Sequence, residues 1–386
     1  MRMRVLHLHF RWGAGSAAAV SDYIRATPAF EHHLVYAVAP GCQLDDQVQE
    51  QAASVRELPS GLARQIVAVR RAVAAVEPDV VHAHSSLAGA CARTALGRRW
   101  PSRVVYTPHC YAFERTDVGP VVRSAFWLAE AALSLRGGQV AACAPYEADL
   151  ARSLPGRQQV VYVPNIAGPD AMRSSGMGSS GMGSKVGRRR EGEPMVVIAV
   201  GRLAPQKAPE MFAHAARIRR DAGDRSRWVW VGGGEADLER QVRSAGVEVT
   251  GWLPRRQALE ELAASDVYVH AAAWDGAPIT VLEAAAAGVP ILARRTSAMA
   301  SLGVEPLFDT AEELADLVGR LCDGTVAAVA ERSGRRLREA HTPAAQREAL
   351  HHVYGLAASK ARGKAQRPAP RSGGRSGPAV RTPPEP

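Results

Sequence analysis

Two carboxylates and two cations in the second half of the chain have the types and spacing to grip a phosphorylated sugar. In WDGAPITVLEAAAAGVP, residues 274–290, Asp275 and Glu283 stand eight positions apart. The pattern places Asp275 in a loop after a strand at Val267–Ala271, Pro278 at the opening of a helix and Glu283 on its second turn. The first turn, around Ile279 and Thr280, offers free N–H groups and a positive dipole end, which suits phosphate. Carboxylates accept paired hydrogen bonds from sugar hydroxyls, so one on each side would hold a ribose and a hexose. The plain alternative makes Asp275 a helix cap and leaves Glu283 facing solvent. In VGRLAPQKAP, residues 200–209, Gly201 ends a strand and Arg202 and Lys207 project from the loop that follows. Arg by its planar fork and Lys as a point charge suit a diphosphate, although single surface cations are usually just solvated. The glycines of VWVGGGE around Gly233 are a weaker signal, since consecutive glycines often only permit a tight turn.

The first half carries fainter signs. Gly13 and Gly15 in WGAGSAAAV follow the first strand and would bring backbone N–H groups near a phosphate or sugar, but no complete G-x-G-x-x-G is present. VVYTPH sets His109 just past a strand end. His82 and His84 form an H-x-H pair; without a carboxylate cluster it reads as structural, with His84 near a cleft, and no metal site is expected.

These residues need a scaffold that gathers strand ends. Short β-branched runs (Val5–Phe10, Leu34–Ala39, Val80–His84, Val104–Thr107, Val140–Ala142, Val160–Val163) alternate with amphipathic stretches, as in βαβ units with parallel sheets. The alternation stops in the Gly/Ser-rich segment holding SSGMGSSGMGSK and RRR, and restarts at Met195–Val200. Four further runs follow, at Trp228–Val231, Val247–Thr250, Val267–Ala271 and Val289–Ala293. The expected fold is α/β: two doubly wound Rossmann-like domains, 1–168 and 194–340, facing a central cleft. A flexible linker is expected over 169–193, a helix packing back on the first domain over 341–359, and a disordered basic, Pro-rich tail over 360–386.

A net charge of +10 invites a nucleic-acid partner, but its location argues otherwise. The tail from Lys360 carries seven basic residues against Glu385, and Ser184–Glu193 four basic against two acidic, which leaves the rest of the chain near neutral. Aromatics make up only 5% of residues and the tail has none to stack bases, so a nucleic-acid scaffold ranks last. The longest apolar run, from Val281, contains Glu283 and falls short of a bilayer span. The basic opening MRMR resembles a signal peptide, yet His7 and His9 interrupt the apolar run, which reads as a strand. Five scattered cysteines suggest neither a zinc cage nor a disulfide framework and fit a reducing cytoplasm. Arg93, Arg98, Arg99 and Arg103 beside Trp100 form a candidate basic edge for an anionic membrane, though a solvated helix end is the commoner meaning.

Taken together, the chain resembles glycosyltransferase family 4, the retaining family with the GT-B fold, and in particular its polysaccharide- and glycolipid-building members. The resemblance runs from about Met3 to Ala358 and rests on GRLAPQK, VEVTGWLP and WDGAPITVLEAAAAGVP in the second half. DVVHAHSSLAG, VVYTPHCYAF and VVYVPN carry it in the first. It implies transfer of a sugar from a UDP- or GDP-sugar to a glycan, lipid-linked or small-molecule acceptor, with no metal and no other cofactor. Arg202 and Lys207 would neutralise the donor diphosphate, Glu283 would bind ribose hydroxyls, Asp275 would contact the transferred sugar and His109 would orient it. Leu253 would border the base, and Gly276, Ala277, Pro278, Ile279 and Thr280 would line the donor. Asp275 replaces the usual first Glu, one methylene shorter, and Ala144 and Pro145 stand where members commonly carry Ser. A GT-B-fold nucleotide-sugar epimerase is the alternative. The implied location is cytoplasmic, on the inner face of the plasma membrane where acceptors are lipid-linked.

Overall fold

Period-two alternation divides β1 (Arg4–Trp12) between two faces, with Leu6, Leu8 and Phe10 on one and Val5, His7 and His9 on the other, all buried. Burial of both faces is what a parallel sheet covered by helices requires. The computed structural model describes residues 2–38, 44, 46–96, 100, 103–174, 193–321 and 324–365. β2 (Glu31–Val38), β3 (Ser54–Glu57), β4 (Val80–His84), β5 (Val104–Thr107), β6 (Gln139–Ala142) and β7 (Gln159–Tyr162) complete the first sheet. It is parallel throughout, in the order β3-β2-β1-β4-β5-β6-β7.

The second sheet contains β8 (Val196–Val200), β9 (Arg227–Val231), β10 (Glu248–Val249), β11 (Val267–His270), β12 (Ile291–Arg294) and β13 (Leu307–Phe308). It too is parallel, in the order β10-β9-β8-β11-β12-β13. The order reverses beside β1 and β4 in one sheet and beside β8 and β11 in the other, so crevices form at those carboxyl ends. Two doubly wound α/β domains are thus present. β3 and β13 escaped the sequence reading because one is a half-exposed edge strand and the other only two residues long.

The segment Pro343–Ala365 is one helix that crosses back to the first domain. Leu350, Val353, Tyr354 and Ala357 pack with Val5, Tyr23 and Val80 in one core cluster, and Arg347 donates to the Ala26 carbonyl. The helix ends six residues beyond Ser359, where the sequence reading stopped it, and Pro169–Ser174, assigned there to the linker, is a short helix. Linker residues 175–192 and tail residues 366–386 lie outside the described residues, as do Cys42, Arg98, Arg99 and Cys322.

Candidate functional site

Loops leaving β8 and β11 bring Lys207 and Asp275 together, with Nζ 2.5 Å from Oδ2. Gly201 turns the chain out of β8 with φ at 150°, which a residue with a side chain rarely adopts, and the Lys207 aliphatic stem lies in ordinary contact beside it. Burial by itself would raise the Asp275 carboxyl, but Lys207 foremost, then His270 and the Gly276 N–H, hold it below its ordinary range. Oδ1 of Asp275 accepts from the Gly276 N–H and not from a helix N–H, so the capping alternative fails. Behind the pair, His270 Nε2 is 3.8 Å from Asp275 and has no hydrogen-bond partner among the described residues, while Nδ1 lies 3.2 Å from the Tyr268 hydroxyl. That hydroxyl donates to Thr280 Oγ1 at 2.8 Å. Burial, then Lys207, pushes His270 down to about 3, so its ring is neutral.

Glu283 faces inward, contrary to the solvent-facing alternative. It is 3% exposed and accepts from Arg255 Nη2 at 2.5 Å. Asp22 of the first domain approaches the same pair: burial raises its carboxyl to about 7, Arg25 and Arg255 oppose that rise, and Glu283 adds to it. The sequence reading had not singled out Arg255, Asp22 or His270; only His270, at the end of the apolar run VYVH, carried a local signal.

The facing domain contributes a strained loop. His109 and Cys110 have φ of 50° and 79°, sparsely populated for residues with a side chain, at about 1–3 kcal/mol each. Buried Glu147 offsets this by accepting from the Cys110 N–H at 2.8 Å and the Cys143 N–H at 2.7 Å, thereby tying the ends of β5 and β6. Gly276 abuts that loop: a Cβ there would stand 3.1 Å from Cys110 N and 3.2 Å from Cys143 Sγ. Asn165 closes a second link, accepting from the Tyr23 hydroxyl at 3.2 Å and donating to the Ala277 carbonyl at 2.9 Å. The loops carrying His109 and Asp275 therefore abut at a junction to which both domains contribute backbone.

The other expected residues have mixed surroundings. Gly276, Ala277, Pro278 and Ile279 are buried, Thr280 is half-buried, and the Ile279–Ala286 helix begins with no side-chain cap. Arg202 is exposed and its side chain makes no ion pair or hydrogen bond among the described residues. The Gly232–Gly234 turn has a structural role. A Cβ at Gly232 would stand 2.2 Å from the Gly201 oxygen, one at Gly234 2.1 Å from the Leu203 oxygen, and one at Gly233 3.0 Å from the Trp252 indole. Leu253 is half-buried next to that indole, which is 65% exposed. Gly15 is exposed with open space above it, and Gly13 is half-buried.

The basic edge needs correction. Arg93 is buried, bonded to Glu130 at 2.8 Å and seated 4.2 Å over the Tyr106 ring, so it offers no charge to a surface. Arg103 does lie over Trp100, at 5.2 Å. A groove of about 800 Å³ lined by Arg4, Asp79 and Trp100 among others sits at strand starts, away from this junction. Among the described residues no helix is long and apolar enough to cross a membrane.

Residues 2–166 match the family described as glycosyl transferase 4-like domain, and residues 194–323 match glycosyl transferases group 1. An Escherichia coli UDP-Gal:alpha-D-GlcNAc-diphosphoundecaprenol alpha-1,3-galactosyltransferase is 29% identical over 224 residues, 55% of this chain and 57% of that protein. The 2-deoxystreptamine glucosyltransferase of Streptomyces kanamyceticus is 28% identical over 229 residues, covering 54% and 56% respectively. This chain thus aligns with a little over half the length of these relatives. The fold is shared with Anabaena Alr3699/HepE, solved in complex with UDP-glucose, at TM-score 0.69 and 16% identity over 92% of this chain and all of that one.

Proposed function

The chain belongs to the group 1, family 4-like glycosyl transferases, and from that membership we propose that it moves a sugar from a nucleoside diphosphate sugar to an acceptor hydroxyl, with retention at the anomeric carbon and without a metal. The observation that carries this reading is the 2.5 Å contact of Lys207 with Asp275 at neighbouring strand ends, under the His109 loop of the opposite domain. A cation and a carboxylate so held have separate partners on one donor: Lys207 the diphosphate, Asp275 a hydroxyl of the transferred sugar. Arg202, exposed and without an ion pair among the described residues, swings onto the same diphosphate. Glu283 takes the ribose hydroxyls, with Arg255 bonded to it and aiming it. Trp252 and Leu253 border the base.

In the reaction the bond between the anomeric carbon and the β-phosphate oxygen breaks, and its electron pair stays on the phosphate. Fixed cations stabilise that charge as it develops. The acceptor oxygen attacks from the face the phosphate leaves, and its proton passes to a phosphate oxygen. Charge-assisted hydrogen bonds are worth about 1.5–3 kcal/mol each, against about 0.3–1 kcal/mol for a helix dipole. Lys207 and Arg202 therefore outweigh the Ile279–Ala286 helix end.

The E. coli relative is named for a diphosphoundecaprenol substrate, and a lipid-linked acceptor here calls for contact with a cytoplasmic membrane face. The exposed apolar side of the Pro120–Ser134 helix and its end supplies a surface for it: Val121 is 81% exposed, Leu128 61%, Leu135 67% and Trp127 43%. The decisive experiment supplies candidate nucleotide sugars with and without acceptor and measures nucleoside diphosphate release and the product's anomeric configuration. Release that ignores the acceptor, as an epimerase would give, or an inverted product, overturns this reading.

A further inference from the structure

Histidines collect on one face of the first sheet. β1 pairs with β4 so that His7 lies opposite His82 and His9 opposite His84, and His32 enters from β2 opposite Val5. All five are buried. Ring nitrogens of His7, His82 and His84 lie within 4.8 Å of one another, a spacing a metal could use. Each ring nitrogen of the three already has a hydrogen-bond partner, however, with His82 held between the Tyr354 hydroxyl and Thr107 Oγ1 at 2.8 Å each.

Four rings form a continuous line to the cleft. His32 Nε2 is 3.0 Å from both the carbonyl oxygen and Oγ1 of Thr27. His7 joins His32 to His84 through contacts of 3.1 Å at each ring nitrogen, and His84 Nδ1 is 3.2 Å from His109 Nε2. The His7/His84 and His84/His109 centroids are 5.4 Å apart with planes inclined by 16° and 26°, as for rings bonded edge to edge.

The far end sets the direction of every bond. A carbonyl oxygen only accepts, so His32 Nε2 carries the hydrogen. Thr27 Oγ1 already donates to the Tyr23 carbonyl at 2.8 Å, so it too only accepts from His32. Burial, chiefly, lowers the proton affinity of all four rings, with His109 pushed down to about 3. A neutral ring with hydrogen on Nε2 has a bare Nδ1, which must accept from the next ring. The same assignment passes from His32 to His7, His84 and His109. His109 ends with Nε2–H pointed down the chain and a bare Nδ1 that has no hydrogen-bond partner among the described residues.

We propose that the line His32–His7–His84, anchored on the Thr27 carbonyl, fixes the tautomer of His109 and makes its Nδ1 a dedicated hydrogen-bond acceptor for the bound donor sugar. His32, His7 and His84 are positioning residues; His109 alone meets substrate. Such an acceptor selects a sugar presenting a hydroxyl at that place and rejects a carboxylate, whose oxygens would oppose the nitrogen lone pair. The inference rests on the transferase reading only for what occupies the cleft.

The test is a long-range 1H–15N spectrum of the histidine-labelled full chain. In the wild type, His109 is expected to show a protonated Nε2 and a bare Nδ1, unchanged between about pH 6 and 8. His32→Leu removes the anchor without touching the cleft and should give a mixture of tautomers at His109. His32→Gln, whose amide both accepts from His7 and donates to Thr27, should restore the single form. Donor kcat/KM should fall by about 10-fold in His32→Leu and recover in His32→Gln, the scale of one misaligned hydrogen bond. A wild-type His109 with hydrogen on Nδ1, or an unchanged tautomer in folded His32→Leu, overturns the proposal. The stated tautomer in a protein that turns over no nucleotide sugar would instead overturn the transferase reading and leave the tautomer assignment standing.

Discussion

Lys207 Nζ lies 2.5 Å from Asp275 Oδ2, joining loops that leave two neighbouring parallel strands and are 68 positions apart in the chain. The two side chains are 23% and 16% exposed, so the pair is largely withdrawn from water yet still reachable by a ligand. Lys207→Ala should therefore lower kcat/KM by about 100-fold or more, the scale of losing one preorganised charge at a developing oxyanion. Asp275→Asn should lower it as well, while circular dichroism reports an intact fold. Turnover unaffected by either change would remove both residues from the mechanism.

Arg255 and Glu283 couple in stability. Arg255→Ala leaves a 3% exposed carboxylate without its cation, at about 1–3 kcal/mol, below the full range for a buried pair because Arg255 is 46% exposed. In an Arg255→Ala background, Glu283→Gln should cost less than it does in the wild type. Urea denaturation of the double-mutant cycle reads the difference, and strictly additive losses would show that the two do not interact.

Gly276 sets how closely the two domains meet. In Gly276→Ala the new methyl would stand 3.1 Å from Cys110 N and 3.2 Å from Cys143 Sγ, one of them backbone with little room to yield. Activity should fall by about 10-fold or more from an opened junction, a misplacement of the reacting groups. A thermal-melt and kinetic comparison with wild type checks this; full activity would show that the domains meet elsewhere during turnover.

Asp22 should make stability depend on pH. Its native value, about 7, lies above the unfolded value of about 3.9, so the folded state binds the extra proton. Stability is then unpenalised below about pH 4, falls as pH rises through the interval, and has lost its full increment above about pH 7. The three-unit gap sets an upper bound of about 4 kcal/mol. Asp22→Asn should flatten this decline relative to wild type in denaturation curves taken from pH 5 to 8. A parallel decline in both proteins would dismiss Asp22 as the cause.

Membrane contact through the Pro120–Ser134 helix predicts loss of flotation with anionic liposomes in Trp127→Glu/Leu128→Glu. Both positions are exposed, at 43% and 61%, so stability should change little. Equal flotation of variant and wild type would exclude this face.

Local chemistry alone revealed the two-domain α/β scheme, because strand and helix periods and the strand-end placement of Lys207, Asp275 and His109 are all short-range properties. Which groups meet was a different matter. Arg93 looked like part of a surface edge until folding gave it Glu130 and the Tyr106 ring. Glu283 had two readings until packing buried it against Arg255. His7 and His82 became neighbours only through the parallel register of β1 and β4. Such pairings join residues separated by tens of positions, and their partners depend on strand order and domain closure, which no local period encodes.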